Sequence, residues 1–210
     1  MKITSATFFD AWITAVQEMR PQLMANWRDS TRFTTLIKSS EDCVLRRVAA
    51  RLALECYPQD YYFIDAVFYE PGDVISGIPI GSTWLSGLSV AFEHENDYRS
   101  PLYTEVSHLL IANADLRVLV TYPYDGIEDS EFGPVYSLIR ESRHSKEISE
   151  KENFLLIFGY PTPFEWEGFV FKEEKWKRLD LPNHAPEPTR TAVTPPAGAG
   201  DRASGARGSP

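Results

Sequence analysis

The stretch VAFEHEND, residues 90 to 97, joins an apolar run to a cluster of charged side chains. Its first residues are typical of a buried β-strand, and Glu93, His94 and Glu95 follow them directly. Side chains along a strand alternate between its two faces, so Glu93 and Glu95 share one face while His94 shares the other with Phe92. Two carboxylates on one face repel each other, so water, a basic partner or a cation must neutralise them.

Further apolar and β-branched stretches on both sides of this one predict a sheet. The stretch YYFIDAVFY is aromatic and β-branched, as strands usually are. Near the C-terminal end, the pair Glu173-Glu174 separates two such runs and predicts a hairpin. The predicted strands lie within residues 61–69, 83–96, 116–122, 153–161 and 167–179.

Apolar residues at helical spacing predict four helices. Pro21 is expected to kink or split the first helix. Ser39, with Asp42 three residues later, is a typical start for the second, and Ser100 with Pro101 is a typical start for the third. The predicted helices span residues 5–27, 39–56, 100–114 and 134–148.

This order of elements predicts an α/β fold with a mixed central β-sheet flanked by helices. We expect an N-terminal helical segment, residues 1–38, to pack on a core of residues 39–181. Residues 182–210 are rich in Pro, Ala and Gly and have no periodicity, so they are expected to form a disordered tail.

Charge and motifs narrow the classes of function. The formal net charge is -9, which is unfavourable for coating nucleic acid because phosphate binding depends on Lys and Arg. A local basic groove or a bound metal can still supply positive charge. The chain contains none of the glycine-rich phosphate or dinucleotide motifs, the serine-hydrolase motif or the paired-cysteine zinc motif.

The lengths of the apolar stretches and the two cysteines predict a cytoplasmic protein without membrane contact. No stretch approaches the roughly 18 apolar residues of a membrane span, and the first residues lack the apolar core of a secretory signal. Cys43 and Cys56 fall in one predicted helix, 13 residues apart, which is too far for a disulfide. We therefore expect reduced thiols, as is usual in the cytosol.

Asp65 is a second carboxylate within an apolar run, at the centre of YYFIDAVFY. A carboxylate in such a place is costly unless it is paired or binds a metal. If its strand lies beside the strand of Glu93 and Glu95, the three carboxylates converge. Mg²⁺ and Mn²⁺ prefer such oxygen ligands, and these ions polarise phosphoryl oxygens and lower the pKa of bound water.

This arrangement resembles the PD-(D/E)xK nucleases, the restriction-endonuclease-like superfamily. In that family a helix precedes an Asp in an apolar strand, (Asp/Glu)-x-Lys ends the next strand, and a helix and a strand follow. Here the matching positions are Asp65 in IDAVF and Glu93-His94-Glu95, within residues 39–122. The resemblance implies a Mg²⁺- or Mn²⁺-dependent nuclease, in which Asp65 and Glu93 hold the ion and Glu95 orients or activates water.

The chain departs from this pattern at the Lys position, which Glu95 occupies, and it has no Lys between Lys38 and Lys146. Some members of the superfamily carry Glu at that position. In others the Lys lies on the following helix, where this chain has Glu105 and His108. His108 is therefore a candidate catalytic residue that orients water or contacts phosphate.

Two further features of the second predicted helix fit such a site. Many members of the superfamily carry an acidic residue on the first core helix, and Glu41 is the matching candidate metal ligand, although it can equally complement the helix N-terminus. Arg46, Arg47 and Arg51 form either a solvated helix face or a set of phosphate contacts.

The same residues also fit a protein without catalytic activity. Glu93 and Glu95 can end a strand in solvent, and Asp65 can be a structural carboxylate bonded to the main chain. A nuclease-like module that lost its chemistry and binds a protein partner agrees with the missing Lys and the net charge. A third alternative is a cation that only stabilises the fold. Nucleases that cut both strands often pair, so a homodimer belongs to the nuclease hypothesis.

Overall fold

Seven strands form a single sheet in the computed structural model, which describes residues 3–77, 83–96, 102–123 and 133–180. The strands are β1 (Glu55–Tyr57), β2 (Ala66–Tyr69), β3 (Leu88–Glu95), β4 (Ala114–Thr121), β5 (Phe154–Pro161), β6 (Phe164–Lys172) and β7 (Lys175–Arg178). They lie side by side in the order of the chain. The fold is therefore α/β with one mixed sheet, as the sequence predicts.

The centre of the sheet is parallel and its two sides are antiparallel. Strands β3, β4 and β5 run parallel, and each remaining pair of neighbours runs antiparallel. A parallel pair needs a connection that crosses back over the sheet, and helices form both connections here. These helices are α5 (Tyr103–Ile111) after β3, and α6 (Gly133–Glu141) and α7 (Ser145–Lys151) after β4.

The other helices precede the sheet in the chain and cover its opposite face. They are α1 (Ser5–Glu18), α2 (Arg20–Asn26), α3 (Ser30–Thr34) and α4 (Val44–Leu52), and the first two meet next to Pro21, as predicted. Apolar residues of α1 recur every three or four positions, which gives the helix one buried side. On that side Phe8 packs against Phe68 with ring centroids 5.6 Å apart, and Trp12 packs against Phe92 at 5.9 Å.

The second predicted helix is shorter than expected. A π-helical turn (Thr35–Ser39) ends where the prediction began the helix, and α4 starts only after Cys43. Asp42 does not cap the helix, since its carboxylate binds Arg47. Cys56 lies on β1, so the placement of both cysteines on one helix is wrong, although both are free thiols.

The strand predicted over residues 61–69 is also shorter, because β2 begins at Ala66. Tyr61 and Ile64 close a tight turn through two main-chain hydrogen bonds of 2.8 and 3.1 Å. Tyr62 and Phe63, at its centre, have φ of 50° and 73°. Asp65 therefore lies just before the strand and not in its middle.

The remaining expectations divide into three groups. The strands within 83–96, 116–122 and 153–161 and the hairpin at Glu173-Glu174 are confirmed. The helix predicted over 134–148 is two helices, α6 and α7, separated by a turn. The predicted helix start at Ser100 and Pro101 and the predicted tail, residues 182–210, lie outside the described residues. No helix in the described ranges is long and apolar enough to cross a membrane.

Candidate functional site

Asp65 lies next to the acidic end of β3. Strand β2 pairs with β3 so that Ala66 is opposite Phe92, which places the preceding residue beside Glu93 and His94. The Asp65 carboxylate accepts a hydrogen bond of 2.9 Å from the main-chain N–H of His94. The expectation that the two acidic segments are neighbours in the sheet is met, and β-sheet pairing brings Asp65 and Glu93 together.

Lys38 contributes a positive charge that the sequence analysis did not assign to the site. It lies in the π-helical turn, and its Nζ contacts Oδ1 of Asp65 in an ion pair. The two side chains are only 17% and 26% exposed, so solvent screens this pair less than it screens a surface pair. Sequence spacing could not reveal the contact, because the Lys of the family pattern follows the motif Glu, whereas Lys38 precedes Glu93.

Glu93 is the most buried carboxylate of the site, with 5% of its side chain exposed. Burial raises its pKa to about 9, and the negative charges of Asp65 and Glu105 add to this effect. The main-chain N–H of Asp65 and the charge of Lys38 act in the opposite direction and do not outweigh burial. At neutral pH the Glu93 carboxyl therefore carries a proton.

Helix α5 covers this carboxyl group with two polar side chains. Glu105 and His108 are three residues apart and share one face of the helix. Nδ1 of His108 lies 3.1 Å from Oε1 of Glu93. Oε2 of Glu105 is buried and has no hydrogen-bond partner among the described residues. An unpartnered buried carboxylate oxygen is costly, so this position favours a positively charged or hydrogen-bond-donating ligand.

A buried arginine holds the end of α5 in place. Arg117, on β4, donates hydrogen bonds of 2.8, 3.0 and 3.3 Å to the carbonyls of Leu109, Ala112 and Ala114. The last carbonyls of a helix have no partner within the helix, and this guanidinium supplies one. The contact fixes the helix that carries Glu105 and His108.

The other predicted residues lie at the margin. Glu95 is half-buried at the end of β3 and, by alternation, on the face of Glu93. Glu41 is exposed in the turn before α4. Of the candidate phosphate contacts, Arg47 and Arg51 form ion pairs with Glu18 of α1, and Arg46 is exposed on α4.

The donor atoms of the site suit Mg²⁺ or Mn²⁺, because hard cations take carboxylate oxygens and Mg²⁺ commonly binds one or two carboxylates together with substrate phosphates. The unpartnered oxygen of Glu105 and the negative neighbours of Glu93 fit this chemistry. Within the described ranges, no three His, Cys, Asp or Glu side chains are grouped so that they could hold a metal ion. A cation held by Asp65 and Glu93 would have to displace the Glu93 proton and share Asp65 with Lys38.

The side chain of His94 lies on the opposite face of the sheet, as strand alternation predicts. Its Nε2 is 2.7 Å from the hydroxyl oxygen of Tyr122, and its ring stacks near Phe33. Burial lowers the pKa of His94 to about 4, so the ring is neutral near pH 7. His94 thus contributes only its main-chain N–H to Asp65.

Comparisons of this chain with protein-family models, with curated proteins and with solved structures found no match. The resemblance to the PD-(D/E)xK nucleases stays a prediction. Any function assigned to the site depends on the residues and contacts described above.

Proposed function

We propose that this protein is a metal-dependent nuclease that hydrolyses phosphodiester bonds beside Asp65, Glu93 and Lys38. The observation that carries the proposal is the contact between Lys38 and Asp65. It supplies, from a segment outside the motif, the lysine that the stretch VAFEHEND lacks. An Asp, a Glu and a Lys then come together from the start of β2, the end of β3 and the π-helical turn.

The order of elements supports the finer, restriction-endonuclease-like description of the fold. Helix α4 precedes the strands, Asp65 lies at the start of β2, Glu93 near the end of β3, and α5 and β4 follow. This is the layout on which the resemblance is based, with β1 as one additional strand before β2.

Each side chain has a role in this proposal. Asp65 and Glu93 would hold Mg²⁺ or Mn²⁺, an ion that polarises the phosphoryl oxygen and lowers the pKa of water. Lys38 is placed to donate to a phosphate oxygen as negative charge develops there. His108 is placed to accept the proton of the attacking water, and Glu95 to orient that water. Glu105 adds negative charge next to the metal ligands.

Cleavage of plasmid DNA, linear DNA, single-stranded DNA and RNA with Mg²⁺ or Mn²⁺ tests the proposal. We expect Asp65→Asn, Glu93→Gln and Lys38→Met each to lower the rate by about 100-fold or more. Glu150→Gln and Lys146→Met are matched controls, because both residues are exposed on α7. Equal cleavage by wild type and Asp65→Asn, or none by folded wild-type protein on any substrate, would contradict the proposal.

A catalytically inactive protein-interaction module is the second candidate. It is favoured by the charge balance of the site, where a protonated Glu93 and the Lys38–Asp65 pair need no metal. This candidate predicts that Mg²⁺ does not change the melting temperature. The nuclease proposal predicts a rise, since a ligand that binds only the native state stabilises it. A rise without cleavage would indicate a cation that serves the fold alone.

A further inference from the structure

Two consecutive aromatic residues beside the site are held out in solvent by an unfavourable backbone. Tyr62 and Phe63 expose 60% and 76% of their surface. Their φ angles of 50° and 73° lie in the left-handed region, which bulky side chains rarely adopt. A strained conformation persists only where the surrounding structure imposes it, and it is frequently found where it serves a function.

The turn that carries these rings is well fixed. Tyr61 and Ile64 exchange two main-chain hydrogen bonds across it, and the Asp60 carboxylate accepts a hydrogen bond of 3.0 Å from the Phe63 N–H. The hydroxyl oxygen of Tyr61 accepts a further bond from the Leu85 N–H at 3.3 Å. These bonds fix the backbone of the turn, so the exposed positions of Tyr62 and Phe63 do not depend on burial of their side chains.

The position of these rings connects them with the proposed catalytic group. The Phe63 ring centroid is 6.3 Å from that of His108, and Asp65 follows two residues later in the chain. The Tyr62 ring lies 5.9 Å from Trp84. We call Tyr62, Phe63 and Trp84 the aromatic platform.

The charge of the protein limits what can bind there. Duplex nucleic acid is held mainly through many phosphate contacts with Lys and Arg, whereas the net charge is -9. Arg47 and Arg51 are already paired with Glu18, and Lys38 with Asp65. An unpaired base gains stability by stacking on an aromatic ring, whereas the bases of a duplex are already stacked on one another, so the platform favours a single strand over a duplex.

We infer that the substrate is a single strand of nucleic acid, with one unpaired base stacked on the exposed ring of Phe63. The inference rests on the proposed nuclease function, because it assigns the substrate of that site. Stacking uses the face of the base and not the sugar, so DNA and RNA strands should both bind.

Binding measured without divalent metal separates this inference from catalysis. Fluorescence anisotropy of the full chain is recorded in EDTA with labelled oligo(dT) and oligo(U) of about 12 nucleotides and with a duplex of the same length. We expect the single strands to bind about ten-fold tighter than the duplex or better, with a shallow dependence on salt because few phosphates are neutralised.

The variants Phe63→Ala and Phe63→Leu test whether the ring carries the binding. We expect each to weaken single-strand binding by roughly ten-fold or more, since Leu keeps an apolar side chain without a stacking face. Phe63 is exposed, so neither change removes a core contact. Tyr103→Ala is the matched control, because Tyr103 is 46% exposed on α5, and its affinity should stay within two-fold of wild type.

The outcomes distinguish failure of the inference from failure of the nuclease proposal. Duplex binding as tight as single-strand binding, or unchanged affinity in Phe63→Ala, overturns the inference even if the protein cleaves nucleic acid. A Phe63-dependent complex with a protein and none with oligonucleotides also overturns it. Phe63-dependent single-strand binding upholds it, and absence of cleavage with Mg²⁺ or Mn²⁺ then counts against the nuclease proposal alone.

Discussion

The two faces of β3 bury ionisable side chains in different ways. On one face, His94 meets the hydroxyl of Tyr122 and the ring of Phe33. Burial lowers its pKa to about 4, and the charge of Lys38 adds to this effect while that of Asp65 opposes it. On the other face, Glu93 meets Asp65, Glu105 and His108, and burial together with two like charges raises its pKa to about 9.

Both side chains are therefore neutral at pH 7, yet only one of them is placed to change state in use. A ligand cannot reach His94 without displacing the rings of Phe33 and Tyr122 that pack against it. A cation near Glu93 would be attracted by the surrounding carboxylates and would favour loss of the proton. The neighbours of a buried ionisable group, more than its burial, thus separate a group enclosed by aromatic rings from one placed to bind a cation.

The largest expected effect on stability comes from a substitution on the face of β3 that carries Phe92 and His94, where aromatic rings pack against the strand. Trp12 is fully buried between Phe92 and Trp166, with ring centroids 5.9 and 5.3 Å away. We expect Trp12→Ala to lower the free energy of unfolding by about 3–5 kcal/mol, because it leaves a large cavity. Urea unfolding measures this, with Met24→Ala, at an exposed position, as the control. A loss below about 1 kcal/mol would mean that this face is not the tightly packed one.

Glu93→Gln should change the dependence of stability on pH. The folded state holds the Glu93 proton up to pH about 9, whereas the unfolded state releases it near the ordinary pKa of 4.5. Between these values the folded state binds more protons, so the stability of the wild type falls as pH rises, by at most about 1.4 kcal/mol per pH unit from this group. We expect the variant to lack this slope, so its free energy of unfolding should exceed that of the wild type by a margin that grows as pH rises between these two values.

Unfolding curves recorded across this pH range, in buffer without divalent metal, test the Glu93 prediction. Asp65, Glu105, Lys38 and His108 surround the group in both proteins, so the difference between wild type and variant isolates Glu93. Glu150→Gln, at an exposed position of α7, should leave the slope unchanged. Parallel curves for wild type and Glu93→Gln would show that Glu93 is ionised in the native protein.

Tyr122→Phe should destabilise the protein without a pH-dependent component. The change removes the hydroxyl that lies 2.7 Å from Nε2 of buried His94, and an unpaired buried nitrogen costs about 1–3 kcal/mol. Because the pKa of His94 is about 4, we expect the same loss at neutral and mildly alkaline pH and full nuclease activity. Thermal unfolding and cleavage rates measure this, with Tyr103→Phe as the control. A loss of cleavage greater than the loss of stability would mean that the face of β3 with His94 influences the site on the opposite face.

The smallest expected effect is a gain in stability from a substitution within the aromatic platform. Asn tolerates the left-handed region better than Phe, so Phe63→Asn should raise the free energy of unfolding by about 0.5–1 kcal/mol. The same variant should lose single-strand binding, which separates a stability gain from a functional loss. Phe63→Tyr keeps the ring and the backbone cost and should change neither. A Phe63→Asn protein that is less stable than wild type would mean that the ring supports the fold.

Alternation along β3 was predictable because it depends only on the two-residue period of a strand. The opposite placement of Glu93 and His94 follows from that period. The neighbouring central strands were predictable from their apolar and β-branched runs. The position of Asp65 was not predictable in the same way. High β-propensity across residues 61–69 concealed a turn at Tyr62 and Phe63 that the main-chain bonds of Tyr61 and Ile64 close.

The α/β pattern and the alternate faces of β3 follow from the sequence, since they depend on local periods. The closeness of the two acidic segments depended on whether their strands are neighbours, which the pairing of β2 with β3 shows. The contact of Lys38 with Asp65 across 27 positions of chain, and the cover that Glu105 and His108 give Glu93, come from the packing of distant segments. Charge pairing and pKa depend on distances in space and on the exclusion of water. Neither quantity can be read from the order of the residues.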